Sequence, residues 1–82
     1  MYKATINVTL RKSVLDPQGE TVLHSLESLG FKEAKNLRVG KFFELTLDTS
    51  DRQKAEACVR EMCDKLLTNP VIEEYSFNLA SF

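Results

Sequence analysis

Few side chains of this 82-residue sequence could do chemistry, and they lie at scattered positions. His24 is the only histidine, and helical spacing places it with Glu20 and Glu27 on the polar side of a predicted helix. Such a position is typical of a solvated surface histidine. A serine or cysteine nucleophile would find no other histidine as its base. We therefore predict no catalytic residue in this chain.

The two cysteines, Cys58 and Cys63, lie five positions apart on a second predicted helix. That spacing points them to different sides of the helix, which argues against a mutual disulfide. Two thiols without histidine neighbours do not make a metal site. The sequence predicts reduced thiols in the core and no metal ligands.

Adjacent carboxylates occur at Glu73 and Glu74, a pairing that would suit general acid and base catalysis of bond cleavage. Successive residues of a strand point to opposite faces, however, so the two groups could not flank one substrate bond. We predict a role for them at a sheet edge or an interface.

Arg38, Gly40 and Lys41 interrupt an apolar alternation with one glycine and two cations. A glycine exposes backbone amides, so this segment could bind phosphate. A P-loop would need a second glycine before the lysine and a helix after it, whereas a strand pattern follows here. The pattern favours a turn or bend glycine with solvated cations, and the alternative is a contact with a partner or a phosphorylated ligand.

Composition is that of a soluble globular protein with a nearly balanced charge of eleven basic and twelve acidic residues. This balance gives no reason to expect a nucleic-acid or anionic-membrane surface. We find no apolar run of spanning length and no signal-peptide pattern, and therefore expect a cytoplasmic location. A single domain over residues 1–82 is small enough that association with other chains is expected to add needed buried area.

Four elements are predicted from local signals. Residues 2–10 alternate apolar and polar side chains, which indicates a strand with one buried face. Asp16 is a suitable cap for a helix over residues 17–29 that ends at Gly30 in the left-handed conformation. A second helix is predicted to begin at Ser50, whose hydroxyl forms a capping box with Gln53. A last strand is predicted from Val71 to Leu79.

The register of the middle region is the decisive question for the fold. Its apolar residues Leu37, Val39, Phe43, Leu45 and Leu47 are all odd-numbered. A two-residue turn at 40–41 would place Glu44 in the core, so we discard it. A three-residue loop over 40–42 keeps the odd positions inside. One strand over residues 36–48 does so too, but at roughly 43 Å it would overhang its sheet and be shared across a dimer.

Both geometries predict an α+β fold: a two-layer, ferredoxin-like sandwich with an antiparallel sheet and two helices on one face. Four segments then carry a closer likeness: Leu15 to Gly19, Arg38 to Phe42, Glu61 to Leu67, and Asn69 to Glu73. In this order and spacing they resemble the PurS family, the small subunit of phosphoribosylformylglycinamidine synthase. The resemblance covers essentially the whole chain.

The resemblance implies a PurS-like fold and membership in a three-part glutamine-dependent ligase of purine biosynthesis. A PurQ-type glutaminase subunit would release ammonia from glutamine. A PurL-type synthetase subunit would use ATP and Mg²⁺ to convert formylglycinamide ribonucleotide to formylglycinamidine ribonucleotide. This chain would carry no cofactor and no catalytic group. It would form homodimers or larger homo-oligomers, bridge the two large subunits and support ammonia transfer.

Candidate subunit contacts are therefore Arg38, Gly40 and Lys41 together with the corner that holds Asn69, Pro70 and Glu73. One alternative function is a regulatory ferredoxin-like module that binds an amino acid at a dimer interface. An RNA-binding sheet is a weaker alternative, because the polar sheet face offers mainly threonine, asparagine, glutamate and serine where stacking rings belong.

Overall fold

The computed structural model describes residues 1–82 and confirms the predicted α+β class, with an antiparallel sheet and two helices. The elements in chain order are β1 (Tyr2–Leu10), α1 (Pro17–Ser28), β2 (Gly40–Leu47), α2 (Arg52–Met62), a π-helical turn (Cys63–Leu67) and β3 (Glu73–Ser81). The sheet has the strand order β2-β1-β3, and both pairings are antiparallel. No helix has the length and apolar character that crossing a membrane requires.

The core lies between the central strand β1 and helix α2. Ile6 stands opposite Phe43 on one side and Phe77 on the other, so neighbouring strands flank it within the sheet. Helix α2 covers the same face. The residues buried between these layers are all small or aliphatic: Ala4, Ile6, Val8, Leu47, Ala55, Val59 and Cys63. The alternation in residues 2–10 therefore predicted the buried face correctly.

Helix α1 begins as the sequence predicts and ends at Ser28, one residue before the predicted end, but it takes little part in this core. Asp16 caps it by accepting a hydrogen bond from the Gly19 amide, and Gly30 follows it with φ of 97°. None of its side chains belongs to the core cluster. Four apolar residues on and around α1 stay exposed: Leu15, Val22, Leu29 and Phe31. The radius of gyration is 16.2 Å, against about 12 Å for a compact chain of this length, so the molecule is elongated.

The structure has a single strand in the middle region, and it begins at Gly40. Neither a hairpin nor a strand from residue 36 forms, so both predicted geometries are wrong for residues 36–39. Two side chains explain this. The Val39 amide donates to Asp16, and the Leu10 carbonyl accepts from Arg38. These are the two backbone groups that would otherwise pair β1 with an extended β2, and Asn36 with φ of 54° also interrupts the extended chain.

Two further boundaries differ from prediction. The cap of α2 is Asp51, which accepts from the amides of Gln53 and Lys54, so the proposed Ser50 capping box is wrong. A carboxylate there also complements the helix dipole. Strand β3 starts at Glu73 rather than Val71, because the amides of Ile72 and Glu73 both donate to the Asn69 carbonyl and form a turn.

Both cysteines are free, as predicted. Cys63 is completely buried in the core, and Cys58 packs against it from a partly buried position. Burial, and then the neighbouring carboxylate of Asp64, raise the pKa of the Cys63 thiol. A thiol in that state is a poor nucleophile, so Cys63 acts as a small apolar core residue.

Candidate subunit-contact site

All six residues that the sequence singled out lie at one end of the sheet. Strand β1 ends there, and β2 and β3 begin there, because Thr9 stands opposite Gly40 and Leu10 opposite Glu73. We call this end the junction, and it consists of Arg11, Asp16, Arg38, Gly40, Lys41, Asn69, Pro70 and Glu73. The antiparallel topology thus joins two segments that are some thirty residues apart in the chain.

Glu73 and Lys41 form an ion pair that crosses above the end of β1, with Nζ and Oε2 3.4 Å apart. The glutamate side chain is largely buried at 12% exposure, whereas that of Lys41 is 56% exposed. The other oxygen of Glu73 accepts from the Asn69 amide at 2.8 Å. This amide, and then Lys41, hold the pKa of Glu73 below its usual value despite the opposing effect of burial. Glu73 is therefore a fixed anion, and Lys41 is the accessible half of the pair.

The Arg38 side chain is bound to other residues of the same chain. Its Nη2 donates to the carbonyl of Leu10 at 2.6 Å and to that of Arg11 at 3.1 Å, and its Nε lies 3.9 Å from the Asp16 carboxylate. A side chain held by two carbonyls and an acid is not a solvated cation, so that part of the prediction is wrong. Its contribution to a partner surface would be indirect, through the shape of the junction.

Gly40 is the first residue of β2 and not a turn residue, which corrects the predicted turn or bend glycine. A Cβ at this position would lie 2.5 Å from the Val8 carbonyl oxygen and 2.9 Å from Cγ2 of Thr9. Real Cβ atoms do not approach backbone oxygen so closely. Glycine is required here because the backbones of β1 and β2 approach each other closely, which is a common reason for a glycine within a strand.

Asp16 is the residue of the junction whose full role sequence reasoning missed. It was predicted only as a helix cap, yet its carboxylate is buried and accepts from two amides at 3.0 Å, those of Gly19 and Val39. It thereby fixes the start of α1 to the approach of β2. The one sequence signal of this role is Gly19, a glycine in the first turn of α1. A Cβ at that position would lie 2.4 Å from Oδ2 of Asp16.

The corner from Asn69 to Glu73 is a tight turn tied to β1. Arg11 donates from Nη2 to the Pro70 carbonyl at 2.8 Å, and the Arg11 amide donates to Ile72 at 2.8 Å. The Asn69 side chain accepts from the Val71 amide at 3.1 Å. Val71, held by these bonds, is 80% exposed. The corner thus presents an apolar side chain on a turn that is held by hydrogen bonds.

These contacts limit what the junction can do chemically. Its carboxylates already accept from amides or pair with cations, and the chain holds no group of three side chains suited to a metal ion. Phosphate binding by residues 39–41 is not supported either, because the Val39 amide and Arg38 are occupied and Asp16 brings negative charge to the segment. A rigid surface for contact with another molecule is what the arrangement provides.

The buried carboxylate of Asp16 predicts a defined acid sensitivity. The Val39 amide first, then the Gly19 amide, and to a smaller extent Arg38 lower its pKa from the ordinary 3.8, while burial opposes them. A depressed folded-state pKa stabilises the fold above the unfolded value, and this contribution is lost as pH falls through the folded-state value. Asp16→Asn is therefore expected to destabilise the chain at pH 7 and to have much less effect near pH 2, measured by urea unfolding.

Glu61→Gln is the matched control, because Glu61 also has a lowered pKa, caused by its hydrogen bond with Lys65 at 2.6 Å, but lies exposed on α2. Solvent screening makes such exposed pairs weak, so its removal is expected to change stability little at either pH. An Asp16→Asn effect that stays the same from pH 7 to pH 2 would contradict the assigned role.

A family model described as PurS: Phosphoribosylformylglycinamidine (FGAM) synthase matches residues 3–81. The chain belongs to the PurS family. The PurS subunit of phosphoribosylformylglycinamidine synthase from Bacillus subtilis is 48% identical over 79 residues, which cover 96% of this chain and 93% of the relative.

Solved PurS structures share the fold as well. The PurS of Methanocaldococcus jannaschii, described as one of the subunits of formylglycinamide ribonucleotide amidotransferase, has a TM-score of 0.90 at 38% identity. That match covers 100% of this chain and 99% of the other. A chain in the structure of PurLQS from Thermotoga maritima has a TM-score of 0.89 at 37% identity and 96% coverage of both chains. These similarities do not favour the amino-acid-binding alternative.

Proposed function

We propose that this chain is the small, non-catalytic subunit of a phosphoribosylformylglycinamidine synthase of purine biosynthesis. The observation that carries the proposal is membership in the PurS family over residues 3–81, joined to the likeness with a chain of PurLQS. The enzyme converts formylglycinamide ribonucleotide to formylglycinamidine ribonucleotide with ATP and glutamine. The enzyme, and this subunit with it, is expected to work in the cytoplasm.

In this proposal the chemistry belongs to two partners. A PurQ-type glutaminase releases ammonia, and a PurL-type synthetase binds ATP and Mg²⁺ and forms the amidine. The present chain binds neither cofactor. Its one histidine is exposed on α1, and its buried cysteine has a raised pKa, which fits a subunit without a nucleophile.

The work of the chain is to hold the other two subunits so that ammonia passes between them. Ammonia released into water at neutral pH becomes mostly ammonium, which is not a nucleophile. An enclosed passage prevents this loss, as enclosed sites generally suppress side reactions. The junction and the adjoining Val71 suit a bridging role, because Lys41 and Val71 are exposed side chains on backbone held by several hydrogen bonds.

The chain is also proposed to associate with itself, as a homodimer or larger homo-oligomer. Support comes from α1, whose apolar side chains stay exposed in the single chain; Leu29 is 74% exposed. A 9.3 kDa chain gains buried apolar area when copies cover such a surface. Analytical ultracentrifugation over a range of concentrations would measure the oligomeric state.

The decisive experiment is reconstitution with a PurQ-type and a PurL-type subunit from a species with this chain's relatives. Adding this chain is expected to increase glutamine-dependent synthesis of the amidine product strongly and to co-purify all three subunits. Ammonium salt is the control nitrogen source, because it bypasses the glutaminase and so needs no bridge. If the chain neither joins the complex nor changes glutamine-dependent synthesis, the proposed function is wrong.

Lys41 is the best single residue for testing the junction in assembly. Lys41→Ala is expected to weaken complex formation by roughly tenfold, because an interfacial charge is lost. The isolated chain should remain folded, because the Lys41 side chain is exposed and the Asn69 amide still donates to the Glu73 carboxylate. Lys32→Ala, at another exposed lysine, is the control. Equal binding by the two variants in a titration assay would remove Lys41 from the contact surface.

A further inference from the structure

The outer edge of β3 carries a row of backbone groups with no partner in this chain. Strand β3 pairs only with β1. The amide of Phe82 donates to Met1, and the amide of Arg11 donates to Ile72, which fixes the alternation of the ladder. Even-numbered residues of β3 therefore bond to β1. The amides and carbonyls of four odd-numbered residues point outward without a partner: Tyr75, Phe77, Leu79 and Ser81. The Glu73 amide, at the start of the strand, donates to the Asn69 carbonyl instead.

This edge lacks the devices that usually prevent strand addition. Strand β3 carries charge only at its first two residues, Glu73 and Glu74, and has no charged residue and no proline from Tyr75 to Ser81, whereas Glu44 lies in the middle of the opposite edge strand β2. Charges and prolines on edge strands are a common protection against unwanted pairing. The two edges of the sheet are thus chemically different, and β3 is the more receptive.

A groove of about 500 Å³ runs along this edge between β3 and α2. Arg52, Glu56 and Arg60 of α2 form one wall, and residues 75–79 form the other. Arg52 is neutralised by Glu56 at 3.4 Å. Arg60 forms no ion pair, and its guanidinium lies 5.2 Å above the centre of the Phe77 ring. The groove therefore offers one uncompensated cation beside unpaired backbone groups.

We propose that the β3 edge binds an extended acidic segment of one of the larger subunits, which adds a fourth strand to the sheet and places a carboxylate on Arg60. Addition of a strand gives affinity through main-chain hydrogen bonds, and alternate side chains give specificity. The Arg60 guanidinium, which forms no ion pair within the chain, selects an acidic residue, because an arginine pairs with a carboxylate through two parallel hydrogen bonds. The identity of the partner rests on the proposed function.

Amide hydrogen exchange, followed residue by residue by NMR, tests the strand addition. In the isolated chain the amides of Tyr75, Phe77 and Leu79 should exchange rapidly, while those of Ser76 and Asn78 are protected by β1. In the assembled complex all five are expected to be protected. If the first three still exchange rapidly in a complex that has formed and is active, the inference is wrong and the proposed function stands.

Protection of the same three amides in the isolated chain, increasing with its concentration, would also overturn the proposal, because a second copy would then occupy the edge.

The role of the Arg60 charge is tested by substitution. Arg60→Glu is expected to lower affinity for the large subunits by about tenfold or more, and Arg60→Lys is expected to have an intermediate effect. Lys54→Glu is the matched reversal on the same helix, outside the groove, and is expected to bind normally. Equal losses for the Arg60 and Lys54 reversals would show a general charge effect and no site.

Discussion

Replacing Ile6 with alanine is expected to destabilise the isolated chain by about 3 kcal/mol, within the usual range for a buried isoleucine. Ile6 is completely buried at the centre of β1, with Phe43 and Phe77 opposite it on the two neighbouring strands. The surrounding strands are fixed by backbone pairing, so they cannot collapse into the space that the side chain leaves. For 82 residues the total stability is of the order of 4–12 kcal/mol, so a large part would be lost.

Urea unfolding, measured at several protein concentrations, would determine this change. Ile6→Val removes one methyl group and should cost about 1 kcal/mol. Leu29→Ala is the surface control, with an expected effect within about 0.5 kcal/mol in the single chain. A loss for Ile6→Ala no larger than that of Leu29→Ala would mean that the core is not centred on β1.

Replacing Gly40 with valine is expected to separate the first residues of β2 from β1 and to destabilise the chain by about 1–3 kcal/mol. The first side-chain carbon alone would lie 2.5 Å from the Val8 carbonyl oxygen. A backbone atom cannot rotate away as a flexible side chain can, so one strand must move. Because Arg38 and Lys41 flank Gly40, the movement would also displace the junction and reduce assembly with the large subunits.

Thr46→Val is the matched control, because Thr46 has the same strand parity as Gly40 on β2 and is exposed. Valine favours strands, so this change is expected to leave stability and assembly nearly unchanged. Thermal unfolding and the reconstitution assay would be measured on both variants. Gly40→Val with normal stability would contradict the close approach of β1 and β2.

The roles of the junction residues divide into internal and external groups. Asp16, Arg38 and Gly40 hold α1, β1 and β2 together, so their substitution is expected to change both the fold and the assembly. Lys41 and the exposed corner at Val71 can be changed with little effect on the fold. Assembly variants of the second kind are therefore the informative ones, and a double alanine variant of Arg38 and Lys41 would mix the two effects.

The proposed strand addition at β3 and the junction would give the chain two separate contact regions. The junction lies where β3 begins, and the groove beside Arg60 extends along the same strand towards its end. A bridging subunit needs more than one contact surface, and these two differ in chemistry. The junction presents an exposed lysine beside a hydrogen-bonded turn, whereas the β3 edge presents unpaired backbone groups beside an arginine. Arg60→Glu and Lys41→Ala are therefore expected to impair assembly independently.

The sequence alone determined the elements whose signals are local. Alternation over residues 2–10 identified β1 and its buried face, and Asp16, Pro17 and Gly30 marked both ends of α1. Each of these depends on a residue and its near neighbours, because helix caps and strand periodicity act over a few positions. The four segments were also sufficient to indicate the PurS family.

Only the tertiary structure decided how residues 36–39 are used and which residues form the junction. The sequence offered a hairpin or a long strand, but the Val39 amide bonds to Asp16, 23 residues earlier, and Arg38 takes the Leu10 carbonyl, 28 residues earlier. Backbone groups satisfy their hydrogen bonds with whatever donor or acceptor the folded chain brings near, and that choice is not encoded in any local pattern. The same reason explains why the local pattern predicts a turn or bend at Gly40, although its neighbour is the backbone of another strand.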